Sequence, residues 1–248
     1  MRYRLCVPGV LCALLVLGAA CNTTLFRQYE YDEEIYLSLD GTATVYVNGS
    51  LSALDALRGA SFDASPGARF DAAAVRAFFS GSDAHVTRVN QSRRGGRRFA
   101  HVRIEVDDIR RLAETAPFAW STYQFGRDGD LYVYKQTVGS PAGQAPAETG
   151  WNGRELVAFR LHLPSRIRYH NTRGVESRGN ILSWEQPLSD RLRGVPVVIE
   201  ARMDPQSILY TTLLLFAATF LAVAAVFVGV IVWVMRKGGQ VGQVGQAG

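Results

Sequence analysis

The sequence predicts an α+β fold: a largely antiparallel sheet built of hairpins, about three short helices, and one C-terminal transmembrane helix. Apolar and polar residues alternate on both sides of three glycine-containing turns, which is typical of β-hairpins. The order of strands and helices shows no repeated strand–helix–strand unit, so a doubly wound parallel sheet is not expected. The charge-free run at residues 208–235 is long enough to cross a bilayer. The three turns are at Asp40-Gly41, Gly95-Gly96 and Asp128-Gly129.

The N-terminal residues 1–20 have the layout of a secretory signal peptide. Two arginines precede an uncharged stretch that is too short for a bilayer span, and the small residues Ala19 and Ala20 stand before Cys21. Cys21 occupies the position of the lipidated cysteine of a bacterial lipoprotein. Lipidation of Cys21 is one interpretation, and a plain signal peptide with an incidental cysteine is the other. Residues 21–205 are then expected to form one extracytoplasmic α+β domain.

The first predicted hairpin is followed by two predicted helices. The first helix starts at a Ser50 cap and stops at Gly59, and the second starts at Asp71 and stops near Gly81. In the hairpin, alternation places one set of apolar residues on a single face, opposite the apolar set of the second strand. The two sets are Ile35, Leu37 and Leu39, and Ala43, Val45 and Val47.

The second hairpin joins two alternating runs through the Gly-Gly turn. A short helix is expected at residues 107–117, with acids at its N-terminus and Pro117 at its end. The third hairpin is followed by a loop rich in Gly, Pro and Ala at residues 139–150. Further strands are predicted after this loop, and the last of them ends at Met203.

The predicted transmembrane helix covers residues 206–235. Its charge-free part would be about 42 Å long at about 1.5 Å per residue, so tilt would absorb the excess over a hydrocarbon core of roughly 30 Å. Tyr210 and Trp233 fall near the two interfaces, and Arg236-Lys237 follow at once. The positive-inside rule therefore predicts a single-pass protein of the cell membrane, with a short disordered cytoplasmic tail at residues 236–248.

The charge balance argues against a nucleic-acid partner. The formal net charge is +5, but without the residues that flank the two membrane-directed segments the domain has 23 basic and 22 acidic residues. Cys6 and Cys12 leave with the signal peptide, so neither an internal disulfide nor a thiolate metal cluster is expected. No cofactor is predicted. The preference for Arg over Lys and the lack of disulfides favour a bacterial origin.

Four arginines surround the second predicted turn. Arginine matches phosphate oxygens with two parallel hydrogen bonds, and basic residues near a bilayer attract anionic headgroups at about 1 kcal/mol each. Because the domain is expected to be tethered to a membrane, these arginines are predicted to contact anionic headgroups. The alternative is a solvated turn kept soluble by its charge. The four residues are Arg93, Arg94, Arg97 and Arg98.

Residues 169–188 hold the densest group of chemically reactive side chains. They are interpreted as strand, turn and strand, in which Asn171 and Gly174 are turn residues and Trp184 is either a core residue or a covering aromatic. His170 and Glu185 have the chemistry of a general base and its orienting acid. Since no nucleophilic Ser or Cys accompanies them, no catalytic residue is predicted.

No metal site is predicted either. The four histidines are on separate predicted strands, and only His85 and His101 could meet, across the second hairpin. Ordinary strand histidines are the expected alternative. The other two are His162 and His170.

The layout of the chain over residues 31–237 resembles the LppM-type family of bacterial envelope proteins. The common features are a lipoprotein-like signal, an opening hairpin, two helices, further hairpins, a late N-T-R-G…G-N-I-L-S-W segment and one C-terminal span. The resemblance implies an α+β envelope domain with an apolar cavity for lipid or glycolipid, and it implies no catalytic residues. The matching residues of the late segment are Asn171, Gly174, Asn180, Leu182 and Trp184.

The predicted function is a membrane-anchored extracytoplasmic binding domain that is not an enzyme and contacts lipid or a membrane protein partner. One alternative is a structural or assembly subunit that acts through the transmembrane helix, where Gly229 and several alanines permit close helix contact. Another is a hydrolase that uses His170 or His162 with an acid. The alanines are Ala217, Ala218, Ala222, Ala224 and Ala225.

Overall fold

The computed structural model of this 248-residue chain describes residues 27–65, 67–145, 149–173 and 180–241. The predicted signal peptide, Cys21, Gly174 and most of the predicted cytoplasmic tail lie outside the described residues. The elements are, in order, β1 Tyr29–Leu37, β2 Ala43–Ser50, α1 Leu51–Arg58, α2 Ala72–Phe79, β3 Ala84–Arg94, β4 Arg97–Val106, two 3₁₀ helices Ile109–Glu114 and Ala116–Phe118, β5 Ser121–Asp128, β6 Leu131–Val138, β7 Leu156–His162, β8 Ser165–His170, β9 Ile181–Pro187, α3 Leu188–Leu192, β10 Val197–Ser207 and α4 Ile208–Val241.

The strands form two sheets that share one core. The six-stranded sheet has the order β3-β4-β2-β1-β7-β9, and the four-stranded sheet has the order β5-β6-β10-β8. Neighbouring strands are antiparallel except β1 and β7, which run parallel. Buried apolar side chains of both sheets and of α1 and α2 belong to one continuous cluster. The predicted α+β class is therefore confirmed.

The first two hairpins form where the sequence predicts them. In the first, Ile35 lies opposite Val45, as the alternation requires. In the second, Gly95 and Gly96 have φ angles of +55° and +75°. Positive φ at both central residues is the requirement of the two-residue turn whose twist matches that of the strands.

The third hairpin and the helix before it differ from the prediction. Asp128 is the last residue of β5 and pairs with Leu131, so the turn lies one residue later than predicted. The single helix expected at residues 107–117 is two short 3₁₀ helices instead. The break lies at Thr115, which is extended, and Pro117 lies in the first turn of the second 3₁₀ helix, where a backbone N–H would have no partner within the helix.

Helix α1 begins and ends at the predicted residues. The Ser50 Oγ accepts a hydrogen bond from the Ala53 N–H at 3.1 Å, and Gly59 follows the helix with a φ of +69°. Ala142 and Gly143 of the loop after β6 pack against this C-terminus, where the Gly143 N–H donates to the Ala56 carbonyl oxygen at 3.1 Å. The loop therefore satisfies helix carbonyl groups that would otherwise lack partners.

We expect Gly143→Ala to lower the free energy of unfolding by about 1–3 kcal/mol. A Cβ atom at Gly143 would lie 2.0 Å from the Asp55 carbonyl oxygen, so the loop would have to move away from α1. Urea unfolding of the full-length protein in detergent, followed by tryptophan fluorescence, measures the loss. The matched control is Gly126→Ala, where a Cβ meets no atom within 4 Å and stability should change by at most about 0.5 kcal/mol. Equal stability of the two variants would contradict the close approach.

The hairpin predicted for residues 169–188 does not form. Strand β8 pairs with β10 in the four-stranded sheet, whereas β9 pairs with β7 in the six-stranded sheet. Residues 171–180 separate β8 from β9, and a connection of this length can cross between sheets instead of turning back. The short helix α3, which the sequence pattern did not predict, follows β9 directly.

Strand β10 continues into α4 without an intervening residue. Ser207 ends the strand and Ile208 begins the helix, and the Ile208 N–H donates to the Pro164 carbonyl oxygen at 3.1 Å. The segment Ile208–Arg236 is long and apolar enough to cross a membrane, and its most apolar part buries no side chain against the domain. The predicted C-terminal helix is therefore present, and it begins two residues later than predicted.

Candidate functional site

Two of the four arginines at the β3–β4 turn are bound to the domain itself. The Arg97 Nη2 lies 2.9 Å from the Glu30 Oε1, and only 14% of the Arg97 side chain is exposed. Arg94 donates to the Tyr29 carbonyl oxygen, and its Cζ lies 4.4 Å from the centroid of the Phe99 ring. Both guanidinium groups therefore already have partners inside the domain.

The other two arginines, Arg93 and Arg98, lie opposite each other on β3 and β4. Arg98 is buried, and its Nη2 donates to the Ser65 carbonyl oxygen at 2.5 Å. Arg93 is exposed, and its side chain forms no hydrogen bond or ion pair with another residue of the described ranges. The structure thus separates the predicted set of four into three arginines with contacts inside the domain and one without.

The β3–β4 turn lies at the end of the six-stranded sheet opposite to α4. His162, at the end of β7, pairs with Tyr36 on β1, and the same row of the sheet continues to Glu105, near the end of β4. The end of β4 therefore lies at the same end of the sheet as the end of β7, which is beside the start of α4. Arg97 begins β4, about 26 Å from Glu105 at about 3.3 Å per residue. The headgroup contact stays a prediction, and it would require this far end of the sheet to face the bilayer.

A surface cleft of about 730 Å³, called here the β9–β10 cleft, lies where the two sheets approach each other. Apolar surface comes from Trp184 on β9 and from Val197 and Val198 on β10. Charged groups come from Arg27, Arg173 and Glu185. The cleft therefore combines an apolar floor with ionic groups of both signs.

Asn171 fixes the geometry of the β9–β10 cleft by bridging the two sheets. Its Oδ1 accepts from the Trp184 Nε1 at 3.0 Å and from the Glu200 backbone N–H at 3.0 Å. Its Nδ2 donates to the Val198 carbonyl oxygen at 2.9 Å. The predicted turn residue is thus a bridge between sheets. Trp184 is 9% exposed, which makes it a core residue, the first of its two interpretations.

Glu185 is bound by residues near the start of β1. Its carboxylate lies 2.6 Å from the Arg27 Nη1, and the Tyr29 hydroxyl donates to it at 2.7 Å. His170 lies on β8, in the other sheet. Within the part of the chain that the structure describes, His170 and Glu185 form no hydrogen bond or ion pair with each other. The base–acid pair considered for a hydrolase is therefore not assembled.

His162 lies on the outer face of the six-stranded sheet beside a carboxylate. Its Nε2 shares a hydrogen bond with the Glu34 Oε1, and its ring stacks on Tyr36 with centroids 3.8 Å apart. The hydrogen bond with His162 holds the pKa of the Glu34 carboxyl below its usual value. No serine or threonine hydroxyl of the described residues is hydrogen-bonded to His162, so this pair lacks a nucleophile.

The Glu34–His162 contact should make stability depend on pH. Because the pKa of Glu34 is lowered in the folded state, the contact stabilises the fold above the unfolded pKa of about 4.3, and this stabilisation is lost as the pH falls through the folded pKa. We expect wild type to exceed Glu34→Gln in unfolding free energy at pH 6, and the difference to shrink towards zero by pH 3. Urea unfolding of the full-length protein at both pH values measures this. In a His162→Gln background the pH-dependent difference should be much smaller, and a difference independent of pH in the wild-type background would contradict the assignment.

The metal geometry considered for His85 and His101 is wrong. His85 pairs across the hairpin with Glu105, and His101 pairs with Asn90. Glu105 and His101 are four residues apart on β4, so the register separates the two histidines by about 13 Å. Residues 27–65, 67–145, 149–173 and 180–241 contain no group of three or more His, Cys, Asp or Glu that could hold a metal ion.

The sequence did not predict a buried ion pair that Glu33 on β1 forms with Arg58, the last residue of α1. Glu33 and Arg58 form a salt bridge in which 1% and 0% of the side chains are exposed. The Gln136 Nε2 donates to the Glu33 Oε1 at 3.0 Å, and the Tyr31 hydroxyl donates to Oε2 at 2.8 Å. The Cζ of Arg58 lies 4.1 Å from the centroid of the Trp120 ring. The available signal was the alternation of β1, which places Glu33 on the same face as Tyr31.

Comparisons with known proteins place the chain at a distance from them. No protein-family model matches the chain, and no curated protein matches it. The fold is similar to the solved NMR structure of the folded domain of LppM from Mycobacterium tuberculosis, with 14% sequence identity and a TM-score of 0.41. The similar region covers 74% of this chain and 95% of the LppM domain. The relation is a distant similarity of fold.

Proposed function

We propose that this protein is a non-catalytic binding domain of the bacterial cell envelope, anchored in the cell membrane by α4. The observation that carries the proposal is the direct continuation of β10 into a helix long and apolar enough to cross a bilayer. Its apolar side chains are exposed and are not covered by any other part of the described residues. Such side chains are more stable in the hydrocarbon core of a bilayer than in water. Arg236 and Lys237 at the end of the apolar run favour a cytoplasmic C-terminus and an extracytoplasmic domain.

The proposed ligand is a lipid or glycolipid, and the proposed binding surface is the β9–β10 cleft. Val198 supports this assignment, because this apolar side chain is 53% exposed and lines the cleft together with the indole of Trp184. Arg27 and Arg173 would meet the polar part of such a ligand. The space between the sheets is filled by side chains such as Tyr31 and Tyr134, which are 0% exposed. The proposal therefore concerns the surface cleft and not the apolar cavity that the LppM resemblance implies.

Native mass spectrometry of the full-length protein from mild detergent tests this proposal. We expect an added mass that extracts into organic solvent, and Val198→Asp should lower its affinity at least about tenfold, because a carboxylate would be desolvated by the ligand. The matched control is Gln124→Asp, which adds the same charge to an exposed position two strands away on β5. The control should retain the ligand.

Two outcomes would contradict the lipid proposal: a bare wild-type protein, or equal retention by both variants. The assembly function would then be the stronger candidate. In that case the helix face to test is the one on which Ala218, Ala222, Ala225 and Gly229 recur at intervals of three and four residues.

A further inference from the structure

A second pocket, called here the arginine pocket, lies between β3 and the loop that precedes α2. Its volume is about 420 Å³. Three arginines line it, and no acidic residue of the described ranges is part of its lining. The lining residues that matter are Arg69, Phe70, Gln91, Arg93 and Arg98.

Arg69 and Arg93 differ from the arginines that form ion pairs within the domain. Arg58 and Arg160, for example, form ion pairs with carboxylates. Arg69 and Arg93 are exposed, and neither side chain forms a hydrogen bond or ion pair with any residue that the structure describes. Arg98 lies behind them, buried and held by the Ser65 carbonyl oxygen. Arg98 interacts electrostatically with Asp63, whereas Arg69 and Arg93, which have no ion pair, produce a positive local potential.

The pairing of β3 with β4 also supports an anion site. Arg93 and Arg98 are directly opposite each other on β3 and β4. Like charges at directly opposite positions destabilise a sheet. An anion bound between the two guanidinium groups would replace this repulsion with attraction, so the arrangement fits an occupied anion site.

We propose that the arginine pocket binds a phosphate group, either as free phosphate or as the phosphate ester of a larger molecule. Guanidinium groups donate two parallel hydrogen bonds to phosphate oxygens, which gives both strength and orientation. The Gln91 amide supplies a further donor, and Phe70 offers apolar surface to the remainder of an ester. The arginine pocket shares no lining residue with the β9–β10 cleft, so this proposal stands independently of the proposed function.

The experiment uses the full-length protein in nanodiscs of zwitterionic phosphatidylcholine. Calorimetric titration with inorganic phosphate and with glycerophosphoglycerol tests two soluble sources, and co-flotation with vesicles containing phosphatidylglycerol tests a lipid headgroup. We expect saturable binding that weakens with added sodium chloride. Arg69→Gln with Arg93→Gln should weaken it by about tenfold per arginine.

The matched control is Arg88→Gln, which removes one positive charge from an exposed position on the same strand but outside the pocket. Its affinity should stay within about twofold of wild type, because a distant exposed charge is largely screened. Arg93→Lys should give an intermediate loss, since it keeps the charge and removes the paired hydrogen bonds. Near-UV circular dichroism verifies that each variant is folded.

Arginine-dependent binding of the soluble phosphates identifies a soluble source, and arginine-dependent binding of the vesicles alone identifies a lipid headgroup. The proposal is overturned if no arm shows saturable binding. It is also overturned if the double variant binds like wild type, or if Arg88→Gln loses as much affinity as the double variant.

Discussion

Replacing Arg58 with methionine should destabilise the domain by about 3–5 kcal/mol, the usual cost of removing one partner of a buried ion pair. The substitution would leave the Glu33 carboxylate buried without its ion-pair partner, hydrogen-bonded to Tyr31 and Gln136. It would also remove the cation from the face of the Trp120 ring. Urea unfolding of the full-length protein in detergent, followed by tryptophan fluorescence, measures the loss.

Two further variants define the cause of this loss. Arg103→Met breaks an exposed pair with Glu105, in which 44% and 40% of the side chains are exposed, and should cost at most about 1 kcal/mol. Glu33→Leu combined with Arg58→Met should be more stable than Arg58→Met alone, because no unpaired charge then remains buried. A loss for Arg58→Met no larger than that for Arg103→Met would show that the buried pair contributes little.

Removing α4 should release the domain from the membrane. With Cys21→Ser in the background, the chain that ends at Ser207 should be recovered in the soluble fraction, whereas the full-length chain should resist carbonate extraction. The physical reason is that the exposed apolar side chains of Ile208–Arg236 favour lipid over water. Membrane fractionation followed by immunoblotting measures the distribution of both chains.

The same experiment tests the lipidation predicted at Cys21. If Cys21 carries lipid, the chain that ends at Ser207 should stay partly with the membrane when Cys21 is intact, and Cys21→Ser should release it. Acyl chains contribute about 0.8 kcal/mol per buried CH₂ group, which is enough for retention when more than one chain is attached. Extraction of the full-length Cys21→Ser protein by carbonate would contradict the role of α4 as a span.

The parts of the fold that sequence predicted are those determined by local chemistry. The Gly95-Gly96 turn, the Ser50 cap and the Gly59 end of α1 each depend on residues adjacent in the chain. The parallel pairing of β1 with β7 depends on segments more than a hundred residues apart, and no local pattern specifies it. The separation of β8 and β9 into different sheets was missed for the same reason.

The candidate sites required the same non-local information. The β9–β10 cleft combines Arg27, Asn171, Trp184 and Val198, which no spacing rule connects. The arginine pocket retains only part of the predicted basic cluster, because Arg94 and Arg97 bind the domain and Arg69 comes from another loop. Charge in the sequence identified the region, and only the packing of the chain identified which arginines share a pocket.

The continuation of β10 into α4 has a mechanical consequence. Strand β10 has a neighbour on each side, β6 and β8, so the anchor is attached to an interior strand of its sheet. A pull on the domain against the bilayer would load β10 along its own axis, while its ladder hydrogen bonds lie across that axis. Many bonds would then bear the force together in shear, instead of opening one after another as they would at a free edge. Such an attachment would let the domain remain folded under tension between the membrane and whatever it holds.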